Sequence, residues 1–254
     1  MVKVMGIINV DDDSFYSASR ALTEKEILSR LETLVGEGAD IIDFGACSTR
    51  PGSTPIDAQT EWERIDKALD LYTRNFSGIP FSVDTFRSSV VRRVYDKYGT
   101  FMVNDISAGE DDPIMLPTVG ELSLPYIAMH KRGTPSTMQS LCQYDNLVED
   151  LLQYFRDFDR KAGEAGIKEW ILDPGFGFAK TMEQNYELMD NLHRFKELGK
   201  KILVGISRKS FIYKKLGITP EEALEPTTRL HRQAIREGAD ILRVHDVAAA
   251  VAIR

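Results

Sequence analysis

Eight short apolar runs, each closed by a polar residue and most followed by a helical stretch, predict a single (β/α)8 barrel domain over residues 1–254. The runs recur at intervals of roughly 20 to 45 residues, as strands alternating with helices do. They are continuously apolar, which suits strands buried on both faces of a parallel sheet. The stretch Glu37-Gly38-Ala39-Asp40-Ile41 returns as Glu237-Gly238-Ala239-Asp240-Ile241, with a looser copy at Glu164-Ala165-Gly166-Ile167. Each copy reads as a helix end turning into a barrel strand. No Gly-x-Gly-x-x-Gly follows the first run, which argues against a doubly wound open sheet.

The first strand is expected over Val4–Val10, ending in the polar loop Asp11-Asp12-Asp13-Ser14-Phe15. Thr23 and Glu26 form a capping box for a helix carrying Ile27, Leu31, Leu34 and Val35 on one face. Ala39–Gly45 is the second strand, and a long loop from Ala46 to Asp57 follows it. Trp62, Ile65, Leu69 and Tyr72 mark the next helix. Ile79–Val83 is the third strand, closed by Asp84, and Val90, Val91 and Val94 a short helix. Phe101–Val103 runs into Asn104-Asp105, and Leu124–Met129 into His130. Leu147, Leu151, Phe155 and Phe158 share a helix face. The sixth strand ends in Asp173-Pro174-Gly175-Phe176-Gly177-Phe178-Ala179-Lys180, where proline stops the strand and the glycines permit a sharp turn. Leu188, Leu192 and Phe195 belong to the helix after it. Ile202–Ile206 ends in Ser207-Arg208-Lys209, Thr219-Pro220 opens a helix, and Ile241–His245 is the eighth strand.

Composition narrows the function. With 43% hydrophobic and 28% charged residues the chain has the makeup of a globular domain, and a net charge of −7 excludes a broad nucleic-acid-binding face. Cys47 and Cys142 are too few for a disulfide framework or a zinc site, which fits a reducing cytoplasm. No apolar run is long enough to span a membrane, and a strand directly after Met1 leaves no place for a cleavable signal.

In a barrel the chemistry lies where strands end at their C-terminal side. Asp84, Asn104 and Asp173 form an acceptor-rich group suited to a flat heterocycle with several N–H donors. Arg50, Lys209, Arg243 and His245 are donors suited to phosphate oxygens. Arg243 and His245 alternate on one strand and so face the same side. Asp84 has a competing reading as the cap of a helix beginning near Thr85. His193 and His231 fall on helices and are assigned to the surface.

These residues sit in motifs that resemble the dihydropteroate synthase family, in order along nearly the whole chain. They are Gly6–Val10 with Asp13-Ser14-Phe15, Ser48-Thr49-Arg50-Pro51-Gly52, Ser82-Val83-Asp84-Thr85, Asn104-Asp105-Ile106-Ser107, Met129-His130 with Gly133-Thr134-Pro135, Asp173–Phe178, Ser207-Arg208-Lys209-Ser210 and Arg243–Val247. The resemblance implies a pterin-binding TIM barrel, a homodimer, that joins hydroxymethyl-dihydropterin pyrophosphate to p-aminobenzoate with Mg2+. It implies that Asp84, Asn104, Asp173 and Lys209 line the pterin pocket, beside Ile106, Met129 and Phe178. Arg243 and His245 would hold pyrophosphate, with Asn9 near the Mg2+. Thr49, Arg50 and Ser207 would belong to the p-aminobenzoate site. Asp84, Asp173, Lys209, Arg243 and His245 would carry the catalytic roles.

The chain departs from the family pattern at Asp11-Asp12 and Tyr16–Ser19 in the first loop, at Ala46-Cys47 in the second, and at Ala179, where glycine is usual. Rival readings are a pterin-binding paralogue without synthase activity, a methyltetrahydrofolate-binding barrel, and an aldolase using Lys209 as a Schiff-base amine.

Overall fold

Parallel pairing carries the chain through a full circle. β1 (Lys3–Asn9), β2 (Ile41–Gly45), β3 (Phe81–Asp84), β4 (Met102–Asp105), β5 (Tyr126–Met129), β6 (Trp170–Asp173), β7 (Lys201–Val204) and β8 (Ile241–Val244) pair in sequence order, and β8 closes on β1. The computed structural model describes residues 1–10, 23–46, 56–76, 78–134 and 136–254. The expected (β/α)8 barrel is the fold observed.

Helices wrap the outside, and their starts follow from local chemistry. In α1 (Glu24–Gly36) the Thr23 hydroxyl accepts from the Glu26 amide while the Glu26 carboxylate accepts from Thr23 N at 2.7 Å. Asp57 caps α2 (Ala58–Asn75), Asn146 caps α5 (Leu147–Glu164), and a Thr181–Gln184 box opens α6 (Met182–Asp190). α3 spans Ser88–Tyr98 and α8 Leu224–Arg236. Two helices that periodicity did not signal, α4 (Met115–Glu121) and α7 (Ser210–Leu216), have only seven residues each, too few to show an apolar stripe. A terminal α9 covers Val247–Val251. The single helix expected through Leu188, Leu192 and Phe195 is α6 followed by a 3-10 segment, Leu192–Leu198.

The repeated Gly-Ala-Asp motif performs one task twice. Gly38 and Gly238 take positive φ and end their helices. The aspartates then cap the start of the neighbouring strand. Asp40 accepts from Val4 N at 2.7 Å and Asp240 from Ile202 N at 2.8 Å.

The barrel interior is layered in a way that positions the site. Met5, Ile41, Ile127, Ile171, Leu203 and Ile241, joined by Met102, form a small buried cluster of strand residues, separate from the large core between barrel and helices. Strand side chains repeat every second residue. Two positions further toward the C-terminal ends, the same side of the strands carries Ile7, Asp43, Asn104, Met129, Asp173 and Arg243. An apolar floor therefore supports a polar tier.

Candidate active site

Asp43 is the centre of that tier, and it was absent from the residues singled out by sequence. Its carboxylate is fully buried on β2. It accepts from Ser82 Oγ at 2.5 Å, from Asn104 Nδ2 at 3.3 Å, and from Arg243 Nε at 2.7 Å. The Arg243 Nη2 lies 2.6 Å from both Asp43 and Asp84. One guanidinium from β8 thus ties two carboxylates from β2 and β3, while Asn104 of β4 holds the first of them. The signal in the sequence was an aspartate inside the apolar run Ile41–Phe44, two residues after an inward-facing isoleucine, since a carboxylate is retained there only when paired.

The charges in this cluster adjust one another. Burial pushes the Asp84 carboxyl up to about 7 against the pull of Arg243, and the nearby Asp43 adds to the rise. Burial works against the Arg243 charge, but Asp43 and Asp84 outweigh it and the guanidinium holds its proton more tightly than usual. Asp84 does not cap α3: that helix has Arg87 as its N-cap, and Ser88 N is met by Asp112 at 2.7 Å.

The turn after β6 forms the opposite wall. Asp173 is buried, its Oδ1 accepts from Gly175 N at 2.8 Å, and burial raises its carboxyl while Lys209 opposes the rise. Lys209 extends over this turn: its ammonium donates to the Phe176 carbonyl and lies 4.7 Å from the centre of the Phe178 ring. Burial brings Lys209 down to about 8, although Asp173 pulls the other way. Ile106 and Met129 are buried nearby on the β4 and β5 ends, and Phe178 is half-buried. Ser207 Oγ accepts from His245 N at 3.2 Å, and Arg30 donates to the His245 carbonyl at 2.7 Å, fixing the backbone where β7 and β8 end. Asn9 ends β1 beside Gly45, whose other neighbour in the barrel is Asp84.

One of the other three histidines differs from expectation. His231 is buried on α8 rather than at the surface, and burial lowers its pKa to about 4. His193 is exposed and meets Glu237 at 2.8 Å. His130 lies behind the β6 turn, its ring edge-on to Tyr154. Thr49 and Arg50 lie outside the described residues, as do Phe15 and Ser48. Among the described residues, no group of three or more His, Cys, Asp or Glu is arranged to hold a metal ion.

Comparison with known proteins bears directly on this arrangement. The family described as pterin binding enzyme matches residues 5–245. A dihydropteroate synthase of a Synechocystis strain is 41% identical over 249 residues, covering 97% of this chain and 86% of that protein. The chain belongs to the dihydropteroate synthase family. The Yersinia pestis dihydropteroate synthase, solved as a sulfonamide drug complex, superposes with a TM-score of 0.92 at 32% identity, covering 99% of this chain and 91% of that one. The Xanthomonas albilineans dihydropteroate synthase, solved with 4-aminobenzoic acid, gives 0.89 at 35% identity, with 99% and 90% covered.

Membership in the dihydropteroate synthase family makes the chain a transferase. Ala179 is the position at which the sequence resemblance leads one to expect glycine. Its φ is +48°, a left-handed conformation that glycine adopts freely and alanine resists. No described helix is long and apolar enough to cross a membrane.

Proposed function

We propose that the chain condenses 6-hydroxymethyl-7,8-dihydropterin pyrophosphate with p-aminobenzoate, giving 7,8-dihydropteroate and pyrophosphate. The observation that carries this reading, beyond family membership, is the sorting of charge around the barrel mouth. Carboxylates on β2, β3 and β6 gather at the C-terminal end of the barrel, with the buried Ile106 and Met129 and the half-buried Phe178 at the neighbouring strand ends. Arg243 of β8 and Lys209, at the start of α7, stand beside them.

In this reading Asp173, Asp84, Asn104 and Lys209 bind the pterin ring by its N–H donors and acceptors. Arg243 and His245 receive the pyrophosphate, and Ser207, with Thr49 and Arg50, serves the p-aminobenzoate end. The arylamine nitrogen bonds to the pterin methylene as its C–O bond breaks, and pyrophosphate departs with the bonding pair. The amine, made acidic by the new C–N bond, then loses a proton. Because the leaving group is already good, no strong base is required, and the residues act by orientation and charge. The carboxylates stabilise positive character developing at the methylene, and Arg243 and His245 stabilise the departing anion. Asn9 offers a hard amide oxygen at the rim. One such ligand suits Mg2+, which keeps several waters and takes its remaining ligands from substrate phosphates. The ion would supply further charge neutralisation on the pyrophosphate. A cytoplasmic homodimer completes the reading, and sedimentation equilibrium tests the dimer.

The deciding experiment measures pyrophosphate release from the dihydropterin pyrophosphate with Mg2+, with and without p-aminobenzoate. Release that depends on p-aminobenzoate and forms dihydropteroate supports the synthase. Tight pterin binding without release would make the chain a pterin-binding paralogue. Asp173→Asn should weaken pterin binding at least tenfold, and unchanged affinity would overturn the pocket assignment.

A further inference from the structure

Lys180 is the most buried amine next to the pocket, yet the proposed chemistry does not use it. It is 2% exposed. Its Nζ lies 3.0 Å from the Gly175 carbonyl, 3.1 Å from the Phe178 carbonyl and 3.1 Å from His130 Nδ1. Burial brings its pKa down to about 7 against the pull of Asp173; protonated, it has three N–H donors, and here each has one acceptor. His130 is suited to accept, because burial and the Lys180 charge hold its ring neutral. The two carbonyls belong to the turn whose ends carry Asp173 and Phe178.

That turn needs holding. Gly175 has φ +72°, and a Cβ there would lie 2.0 Å from the His130 carbonyl oxygen, so the backbone is pressed directly onto β5. Ala179 stands in the left-handed region, with its carbonyl met by Tyr144 OH at 2.9 Å. On the pocket side Lys209 takes the Phe176 carbonyl. Lys180 takes the Gly175 and Phe178 carbonyls, one before and one after Phe176 in the chain. The turn is stapled by a lysine on each side.

We infer that Lys180, seated on His130, is a positioning residue that sets Asp173 for pterin recognition without touching the substrate. The inference rests on the synthase reading, in which Asp173 meets the ring. Removing the amine takes the side-chain donor from the Phe178 carbonyl, leaves the Gly175 carbonyl with only Phe178 N, at 3.1 Å, and frees the strained Ala179 to relax. Asp173, whose Oδ1 depends on Gly175 N, then loses its orientation.

The test is a double-mutant cycle on binding of 6-hydroxymethyl-7,8-dihydropterin pyrophosphate, measured by titration calorimetry without p-aminobenzoate. Lys180→Met and Asp173→Asn are each expected to weaken binding at least tenfold. The double variant should bind within about twofold of Asp173→Asn alone, because the lysine acts through the aspartate. A merely structural role would instead give multiplying losses, and that result overturns the inference, as does a Lys180→Met affinity within threefold of the parent. Unchanged affinity in Asp173→Asn alone overturns the synthase pocket itself, a separate arm of the same cycle. If Lys180→Met does not fold, Lys180→Gln takes its place, since its amide still donates to one carbonyl. Failure of both to fold overturns the inference by making Lys180 a requirement of the barrel rather than of the ring's placement.

Discussion

Removing the Asp43 carboxylate should cost the fold more than removing any surface charge. Asp43→Ala strands three donors at once: Ser82 Oγ, Asn104 Nδ2 and the Arg243 guanidinium. Breaking a buried ion pair by deleting one partner costs about 3–5 kcal/mol. Arg243 keeps Asp84, with its side chain 22% exposed, which argues for the lower end. The lost acceptor for Ser82 and Asn104 argues for about 1–3 kcal/mol more. A net loss of about 4 kcal/mol is expected, and at about 2–4 °C per kcal/mol for a chain of this size it lowers Tm by about 8–16 °C. Urea unfolding followed by circular dichroism measures the free energy directly. Asp43→Asn should lose less, since its amide oxygen still accepts while the charge is gone. An Asp43→Ala variant within about 1 kcal/mol of the parent would refute the account of this tier.

The other predictions concern single positions. His231 has a folded-state pKa of about 4 against an ordinary 6.5, so the unfolded chain takes up its proton first as pH falls. Its stabilising contribution is complete above 6.5 and is lost progressively down to about 4; His231→Gln should flatten the stability slope in that window by one proton, and an unaltered slope would contradict the burial argument. Gly175→Ala meets the His130 carbonyl at 2.0 Å in a left-handed backbone. A destabilisation above about 2 kcal/mol is expected from strain and displacement together, read by urea unfolding. Ala179→Gly should stabilise by about 0.5–1 kcal/mol, because relief of about 1–2 kcal/mol of left-handed strain exceeds the added chain entropy; a loss of stability would show that Ala179 contributes packing that outweighs its φ.

The strands were legible because each must be apolar on both faces, and such runs stand out against amphipathic helices. The Glu-Gly-Ala-Asp repeat was legible for a different reason: ending a helix and turning into a strand demands a left-handed residue and then a capping carboxylate, in that order. Gly38 with Asp40 and Gly238 with Asp240 meet the demand identically. The short helices α4 and α7 carried no such demand, being too brief for a periodic face. His231 was misplaced because a lone histidine between Leu230 and Arg232 does not reveal which side of α8 it occupies.

The site was legible at the strand ends and opaque one tier below. Asp84, Asn104 and Asp173 announce themselves because each closes an apolar run. Asp43 does not, although the alternation that set Arg243 and His245 on one side of β8 also sets Asp43 two residues above the inward Ile41. What alternation cannot give is height in the barrel, and height depends on how each strand is staggered against the next. The pairing of Met5 with both Ile41 and Arg243 fixes that stagger and brings residues 200 positions apart within a hydrogen bond. The consequence is chemical. Arg243 reads from the sequence as a cation open to an anion, whereas in the folded chain two carboxylates already share it. A pyrophosphate must therefore compete with Asp43 and Asp84 for the guanidinium, and a ring that satisfies Asp84 with its own N–H donors makes that competition easier. Recognition of the ring and grip on the leaving group would then be coupled through one arginine.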